Sequence, residues 1–308
     1  MRVLIADDGS AGASEAVALA ESIAWPADST LRVVTVFEPI VMPTAGLGDR
    51  GGAVAPELDA AIREHAGESL RAVVERLQAP GRGVEGQTLN GRAASMIVKA
   101  AGDFGADLVI VGSRGHGSIA SLLLGSVSGE VVDHAPCPVL VARKRTLTRV
   151  IFATDESPAA EAAEAILVRW PIFDGVQIHV VSAADVVHPW TIGIAPTMYE
   201  RVLEAYAADL RAAKVDHERM AADAATRLRI GGRAVDSELR MGDPASEIVA
   251  TASEQAADLV VLGSRGRIGV TRLLLGSVAR NVVSGSSASV LIVRNGAVEP
   301  AEPATASN

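Results

Sequence analysis

Gly112, Gly115, Gly125 and Ser126 stand in the pattern Gly-x2-Gly-x9-Gly-Ser, and Gly263, Gly266, Gly276 and Ser277 repeat it 151 residues later. Each copy follows a short aliphatic run, Leu108–Val111 and Leu259–Leu262, of the kind that makes a buried strand. Glycine has no Cβ, so a chain at these positions can take positive φ and bring its N–H groups close to a ligand. The Gly-Ser pair then opens a helix, whose first N–H groups are unpaired and carry partial positive charge. That end of a helix suits a phosphate group. The hydroxyls of Ser126 and Ser277 can meet a phosphate oxygen or a metal ion. Arg114 and His116, with Arg265 and Arg267, add basic character to both loops. The chemistry these residues describe is the holding of a polyphosphate.

Glycine after a strand is also ordinary turn chemistry, and Gly-Ser an ordinary helix start. Duplication alone does not decide, because it preserves turns as well as sites. What favours a site is that the glycine spacing and both serines persist while their neighbours change, His116 against Arg267 and Gly117 against Ile268. The loop is not a P-loop, for it contains no Gly-Lys-Ser/Thr. Nor is it the Gly-x-Gly-x-x-Gly dinucleotide fingerprint, which follows a first strand; this loop follows a fourth.

The elements that must position these loops are themselves duplicated. "VLIADDGS" (3–10) aligns with "VIFATDES" (150–157), and "LRVVTV" (31–36) with "IHVVSA" (178–183), both at an offset of 147. "ADLVIVGSRG" (106–115) aligns with "ADLVVLGSRG" (257–266) and "PVLVAR" (138–143) with "SVLIVR" (289–294), both at an offset of 151. A four-residue insertion therefore lies between residues 183 and 257. The period is that of a domain, not of a solenoid. We expect one domain over residues 1–145 and a second over 146–294, joined near the polar stretch "RKRTLTR" (143–149). The Pro- and Ala-rich end, 295–308, is expected to be disordered.

Within the first half the pattern predicts strands at Val3–Ala6, Leu31–Val36, Val84–Leu89, Leu108–Val111 and Val139–Ala142. Helices are expected after a cap at Ser10 or Ser14, over about Pro56–Leu77, at Ala93–Phe104 and at Ser126–Asp133, with a loop over Phe37–Ala55. In the second half Ser157-Pro158 and Asp243-Pro244 each place a capping side chain before a proline at the first helical position. Near-continuous aliphatic strands alternating with helices imply a parallel sheet covered on both faces. The class is α/β, twice. In such sheets ligands sit beyond the carboxyl ends of the strands, where both glycine loops begin.

Composition bounds the function. Of 308 residues about half are apolar, and the net charge is −9, which argues against a nucleic-acid binder with its basic face. A single cysteine, Cys137, excludes an intrachain disulfide framework and a cysteine-cluster metal site. No apolar run approaches the length of a membrane span, and "MRVLIADDGS" lacks a basic start with an apolar signal core. The expectation is a cytoplasmic protein without nucleic-acid or membrane partners.

The repeated Gly-x2-Gly-x9-Gly-Ser pattern, with an Asp closing the first strand of each half, resembles the ATP-binding class of the universal stress protein family in its tandem-domain form. The resemblance spans nearly the whole chain apart from the tail. It implies two doubly wound five-stranded parallel sheets of strand order 3-2-1-4-5, an adenine-nucleotide alpha-hydrolase-like fold. It also implies pairing of the halves through their last strands, Val139–Ala142 and Val290–Val293. Carried over residue by residue, the resemblance puts Asp8 and Asp155 near the nucleotide sugar, and the main chain of Val36 and Ala183 at the adenine. Gly112, Gly115, Gly125, Ser126 and their repeats Gly263, Gly266, Gly276 and Ser277 take the phosphate positions. Val111, Val127, Leu262 and Val278 flank them. The ligand implied is ATP with Mg2+, one per half, and the partners implied are an unknown protein and a further copy of the chain. The second half departs at Glu156, which puts a negative charge where the first half has Gly9.

Three functions are open at this point. A regulatory binding module would change shape or partner affinity with nucleotide occupancy, in the stress response that the resemblance implies. A slow ATPase or nucleotidyl-transfer enzyme would need a general base that the sequence does not present, so no catalytic residue is assigned. A scaffold with empty loops would ignore nucleotide. Asp7 and Asp8 also suggest a receiver-like acidic pocket, but the third strand ends in "TLNG" and Thr154 replaces Asp7 in the second half. His65, His134, His179, His188 and His217 share no metal-ligand spacing, Cys137 reads as structural, and Trp25 and Trp170 read as packing residues. Helix 199–228 reads as a solvated helix rather than a coiled coil.

Overall fold

In the computed structural model the described residues are 1–38, 51–115, 124–185, 199–229, 232–266 and 275–295. The first half runs β1 (Arg2–Ala6), α1 (Ala11–Ser22), β2 (Thr30–Phe37), α2 (Gly51–Leu77), β3 (Gly83–Asn90), α3 (Ala93–Phe104), β4 (Leu108–Gly112), α4 (Ser126–His134) and β5 (Val139–Ala142). The second repeats it as β6 (Arg149–Ala153), α5 (Pro158–Arg169), β7 (Gln177–Ala184), α6 (Tyr199–Leu228), β8 (Val235–Met241), α7 (Pro244–Glu254), β9 (Leu259–Gly263), α8 (Ser277–Gly285) and β10 (Ser289–Val293). Helix α2 begins at Gly51, earlier than the glycines and Pro56 suggest. The run Ala53–Val54–Ala55 offers no intrinsic bar to helix.

All strands join one ten-stranded sheet of order β3-β2-β1-β4-β5-β10-β9-β6-β7-β8. Each half contributes a parallel 3-2-1-4-5 array, and among the described strands only the junction pairs antiparallel: Val290 faces Val141, Leu291 faces Leu140 and Ile292 faces Val139. Strand alternation sends side chains to two helical layers. One holds Ile5, Ile110, Phe152 and Val261 against α1, α2, α5 and α6. The other holds Val109, Val111, Val260 and Leu262 against α3, α4, α7 and α8. Because the central strands are buried on both faces, their aliphatic runs are unbroken.

Polar bonds close the junction. Ser289, 1% exposed, accepts from the N–H groups of Arg143 and Lys144 through its Oγ at 3.1 and 3.0 Å. Arg143 Nη2 donates to the Val283 carbonyl in α8 at 2.5 Å, and Arg294 Nη2 donates to the Val132 carbonyl in α4 at 2.6 Å. Each arginine thus caps the carbonyl end of the other half's helix, where a cation is favoured. Trp25 and Trp170 pack against the core as expected of packing residues, Trp25 Nε1 donating to Ala20 O at 2.7 Å. Cys137 is buried, and burial pushes its thiol up to about 12, leaving it protonated and inert.

Candidate functional site

The glycine loops leave β4 and β9 at the carboxyl end of the sheet, beside the turns that leave β1 and β6. Those turns are built by capping. Ser10, in extended conformation, accepts from Ala13 N through Oγ at 3.1 Å and so starts α1. The same hydroxyl donates to the Arg114 carbonyl at 3.1 Å, tying the glycine loop to the β1–α1 turn. Ser157 repeats both bonds, accepting from Ala160 N at 3.3 Å and donating to Arg265 O at 3.0 Å. Ser10 and Ser157 are the residues that hold each loop down, a role their sequence position does not disclose.

The glycines have distinct steric reasons. A Cβ on Gly112 would lie 2.3 Å from the Gly12 carbonyl carbon, and one on Gly263 would lie 2.7 Å from the backbone of Ala159 and Ala160. These two glycines let the end of β4 and β9 press against α1 and α5. A Cβ on Gly115 would lie 2.8 Å from Asp8 Oδ2, and one on Gly266 2.7 Å from Asp155 Oδ2. Here the absent side chain leaves room for the carboxylate. Asp8 and Asp155 are oriented by accepting from Ser10 N and Ser157 N, each at 3.0 Å. Gly125 N donates to Ser113 O and Gly276 N to Ser264 O, both at 2.9 Å, so these two amides close the loop on itself.

The amides that remain for a ligand are those of the following helical turn. Helix α4 has Gly125 at its N-cap and α8 has Gly276, and neither has a side-chain cap. The first-turn N–H groups of Ser126 and Val127, and of Ser277 and Val278, have no intrahelical acceptor. Ser126 and Ser277 are exposed, and Val127 is 38% exposed. Behind that turn Ser128 Oγ donates to the Gly112 carbonyl at 2.6 Å, which fixes α4 to the end of β4.

A cleft of about 520 Å³ reaches this helix end in the first half, lined by Glu38, Gly91, Arg92, Ala94, Ser126, Val127 and Glu130. Its volume is in the range of small-molecule sites. Glu38 accepts from Ala93 N at 2.6 Å and Arg92 pairs with Glu130 at 2.6 Å, so charged groups frame its mouth. The corresponding cleft of the second half, about 720 Å³, is lined by Asp185, Leu210, Arg211, Lys214, Met241, Gly242 and Asp243. It lies at the ends of β7 and β8 and against α6, and its described lining residues do not include Ser277 or Val278.

Val36 pairs with Leu89 near the end of β2, and Ala183 with Arg240 near the end of β7. Val111 and Leu262 bury their side chains among α3, α4, α7 and α8 and leave only main chain toward the loop. His116 and Arg267 lie outside the described residues. So the structure brings Asp8, Arg114, Gly115, Gly125, Ser126 and Val127 together, and their repeats likewise. The residues missed by the pattern are Glu38, Arg92 and Glu130, whose only signal is their place after the second and third strands and on α4.

Electrostatics separate the halves. Burial pushes the Asp7 carboxyl above its ordinary range and the Asp8 charge adds to this, while the Gly9 N–H at 3.1 Å opposes it. Its counterpart Thr154 is uncharged and accepts from Glu156 N at 3.2 Å. Burial pulls the Arg143 guanidinium down to about 10, with the Arg114 charge contributing. Arg294 is lowered by burial and then by Arg265. Each glycine-loop arginine thus has a second guanidinium near it. Among the described residues no three of His, Cys, Asp and Glu group as a metal site.

The comparisons agree with the fold and its duplication. The profile described as Universal stress protein family matches residues 1–143 and again 146–294. A universal stress protein of Thermus aquaticus is 37% identical over 46% of this chain and 97% of its own length. One of Mycobacterium tuberculosis (strain H37Rv) is 28% identical over 98% of this chain and 97% of its own. Among solved structures, a universal stress protein from Archaeoglobus fulgidus superposes with a TM-score of 0.61 at 22% identity, over 96% of this chain and 98% of that one, which speaks for the fold.

Proposed function

The chain belongs to the universal stress protein family, and from that premise we propose that it is a regulatory protein that binds an adenine nucleotide, ATP with Mg2+, at the carboxyl end of the sheet in each half. The observation that carries this reading is the meeting, at one place, of the open first turn of α4, the Arg114–Gly115 loop bonded to Ser10, the Asp8 carboxylate and a cleft that reaches Ser126 and Val127. The first-turn amides and the Ser126 hydroxyl would hold phosphate oxygens, with Arg114 adding charge. Asp8 would meet the ribose, and the cleft beyond Val36 would receive the base. The magnesium ion would neutralise part of the tail's charge. Ser277, Val278, Arg265 and Asp155 would do the same in the second half. Among the described residues no group stands as an evident general base, so occupancy, read out through loop shape or partner binding, is the functional event.

Mass spectrometry of small molecules released from the purified protein should find an adenine nucleotide. Ligand at 100 times Kd adds about 2.7 kcal/mol per site, which is roughly a 5–10 °C rise in melting temperature for a domain of this size. The double variant Gly115→Asp with Gly266→Asp sets a second carboxylate beside Asp8 and Asp155 and should abolish that rise. An unchanged melt of the unsubstituted protein with MgATP would leave only the scaffold reading, and steady release of phosphate from MgATP would favour the enzyme.

A further inference from the structure

The two seats are not charged alike, and the difference comes from across the junction. Asp133, in the last turn of α4, belongs to the first half. Its Oδ1 accepts from the Leu275 N–H at 3.4 Å and from Arg280 Nη2 at 3.1 Å. Leu275 immediately precedes the Gly276-Ser277 pair, and Arg280 lies one turn into α8. A largely buried carboxylate, its side chain 15% exposed, therefore stands at the entrance of the helix that would hold the second phosphate tail. It also engages the cation of that first turn. The reciprocal arrangement does not exist: Ser284 occupies the position of Asp133 in the second half and Gly129 the position of Arg280 in the first. The clefts differ in their described linings as well. That of the first half includes Ser126 and Val127, whereas that of the second is lined by α6 and the ends of β7 and β8.

We propose that Asp133 sets the charge preference of the second half's seat, so that the chain carries one strong and one weak site for a polyphosphate tail. The inference rests on the nucleotide reading above. A carboxylate near the first turn of α8 lowers the potential there, and its bond to Arg280 turns that guanidinium toward the first half. Both effects oppose a multiply charged anion and leave an uncharged ligand untouched. Arg294 also feels the Asp133 charge. A single charge at this range, partly screened by solvent, changes the affinity of a triphosphate about 3–10-fold.

Isothermal titration of the full chain with MgATP, and separately with adenosine, tests this. The unsubstituted protein should show two unequal classes of site for MgATP, and Gly115→Asp should remove the stronger. Asp133→Asn, nearly isosteric and still able to accept from Leu275 N, should tighten the weaker class 3–10-fold for MgATP without affecting adenosine. Added salt should shrink that gain. Arg280→Gln, which leaves the carboxylate without its partner, should weaken the same class further, and Asp133→Glu should leave the gap in place. Loss of structure would move the Asp133 and Arg280 variants in the same direction, so opposite shifts separate electrostatics from folding. Equal sites in the unsubstituted chain, or an Asp133→Asn effect shared by adenosine, would overturn the proposal while leaving nucleotide binding intact. No heat with either ligand would overturn the nucleotide reading and this one with it.

Discussion

The two halves answer the same mechanical problem with different atoms. At the β1–α1 turn the first half uses Gly9 at φ +73°, and the second uses Glu156 at φ +54°. Under the loop the first half keeps a buried acid, Asp7, where the second has Thr154. The constant parts are Ser10 and Ser157, which bond the glycine loop to the preceding turn, and Asp8 and Asp155, which lie against Gly115 and Gly266. What duplication has kept is the fastening of the loop, and what it has changed is the charge around it. Loop shape is thus the common requirement and the surrounding charge the adjustable feature.

The closest backbone approach should give the largest effect. Gly112→Ala would drive a methyl group to 2.3 Å from Gly12, and Gly263→Ala would bring one to 2.7 Å from Ala159. Overpacking of this kind costs about 1–3 kcal/mol and occasionally more. Denaturant melts should place Gly112→Ala at or above ~3 kcal/mol and Gly263→Ala below it. If the order is reversed, the first half is the more deformable one and the comparison drawn above fails.

Next come the seats taken singly. Gly115→Asp should cut nucleotide affinity of the first half at least 10-fold, about 1.4 kcal/mol, and Gly266→Asp should do so in the second half only. Binding to one variant in the presence of the other's loss, followed by titration, would show whether the halves act independently.

The duplication, the α/β class and elements such as Ala93–Phe104 and Val139–Ala142 are written in the chain as periodicity, because burial on both sheet faces demands unbroken aliphatic strands. The pairing of β5 with β10 came from the resemblance rather than from those strands, whose aliphatic residues are equally suited to any core. The glycine loops were visible as spacing, but the reasons for their glycines were not. Gly112 is small because α1 is close, and Gly115 because Asp8 is close, and both neighbours lie about a hundred residues away in sequence. The same holds for Ser10, readable as a cap but not as the donor to Arg114 O. Glu38, Arg92 and Glu130 meet only because strand order 3-2-1-4-5 places their elements side by side. Asp133 carries no local signal at all, for its partners Leu275 and Arg280 come from the other half.

A smaller effect depends on pH at a fastening both halves share, Asp107 accepting from Arg2 N at 2.6 Å at the start of β1. Asp258 accepts from Thr148 N at 2.9 Å and from Arg149 N at 3.1 Å, fastening the start of β6. Burial alone would raise its carboxyl, but these bonds and the hydroxyls of Thr148 and Thr146 outweigh it and hold it below the ordinary range. A depressed carboxyl adds stability above its unfolded value, near pH 4, and loses that stability as pH falls through the folded value. Asp258→Asn should therefore destabilise the second half by about 1–2 kcal/mol at neutral pH. The difference from the unsubstituted protein should shrink as pH falls through that depressed value and vanish below it. Hydrogen exchange of the β6 amides against those of β1 would read it half by half. A difference that persists undiminished into acid would show that the carboxylate's charge is not what fastens β6.

The smallest effect bears most directly on why Glu156 is tolerated. A non-glycine residue in the left-handed region costs roughly 1–2 kcal/mol, and Glu156 offsets this by pairing with Arg219 at 3.0 Å. Arg219 is shared with Asp216 and Asp223, each also at 3.0 Å, and these carboxylates hold its guanidinium firmly protonated, Glu156 contributing most. The network is half exposed, and solvent screening weakens its pairs. The pair relieves only part of the strain, so Glu156→Gly should be mildly stabilising, by less than about 1 kcal/mol. Gly9→Glu in the first half has strain without a described counterpart of Arg219 and should cost about 1 kcal/mol. Arg219→Gln should make Glu156→Gly clearly stabilising, since only the strain then remains to be relieved. A double-mutant cycle on Glu156 and Arg219 measures the pair directly. A coupling near zero would mean that the second half simply bears the strain.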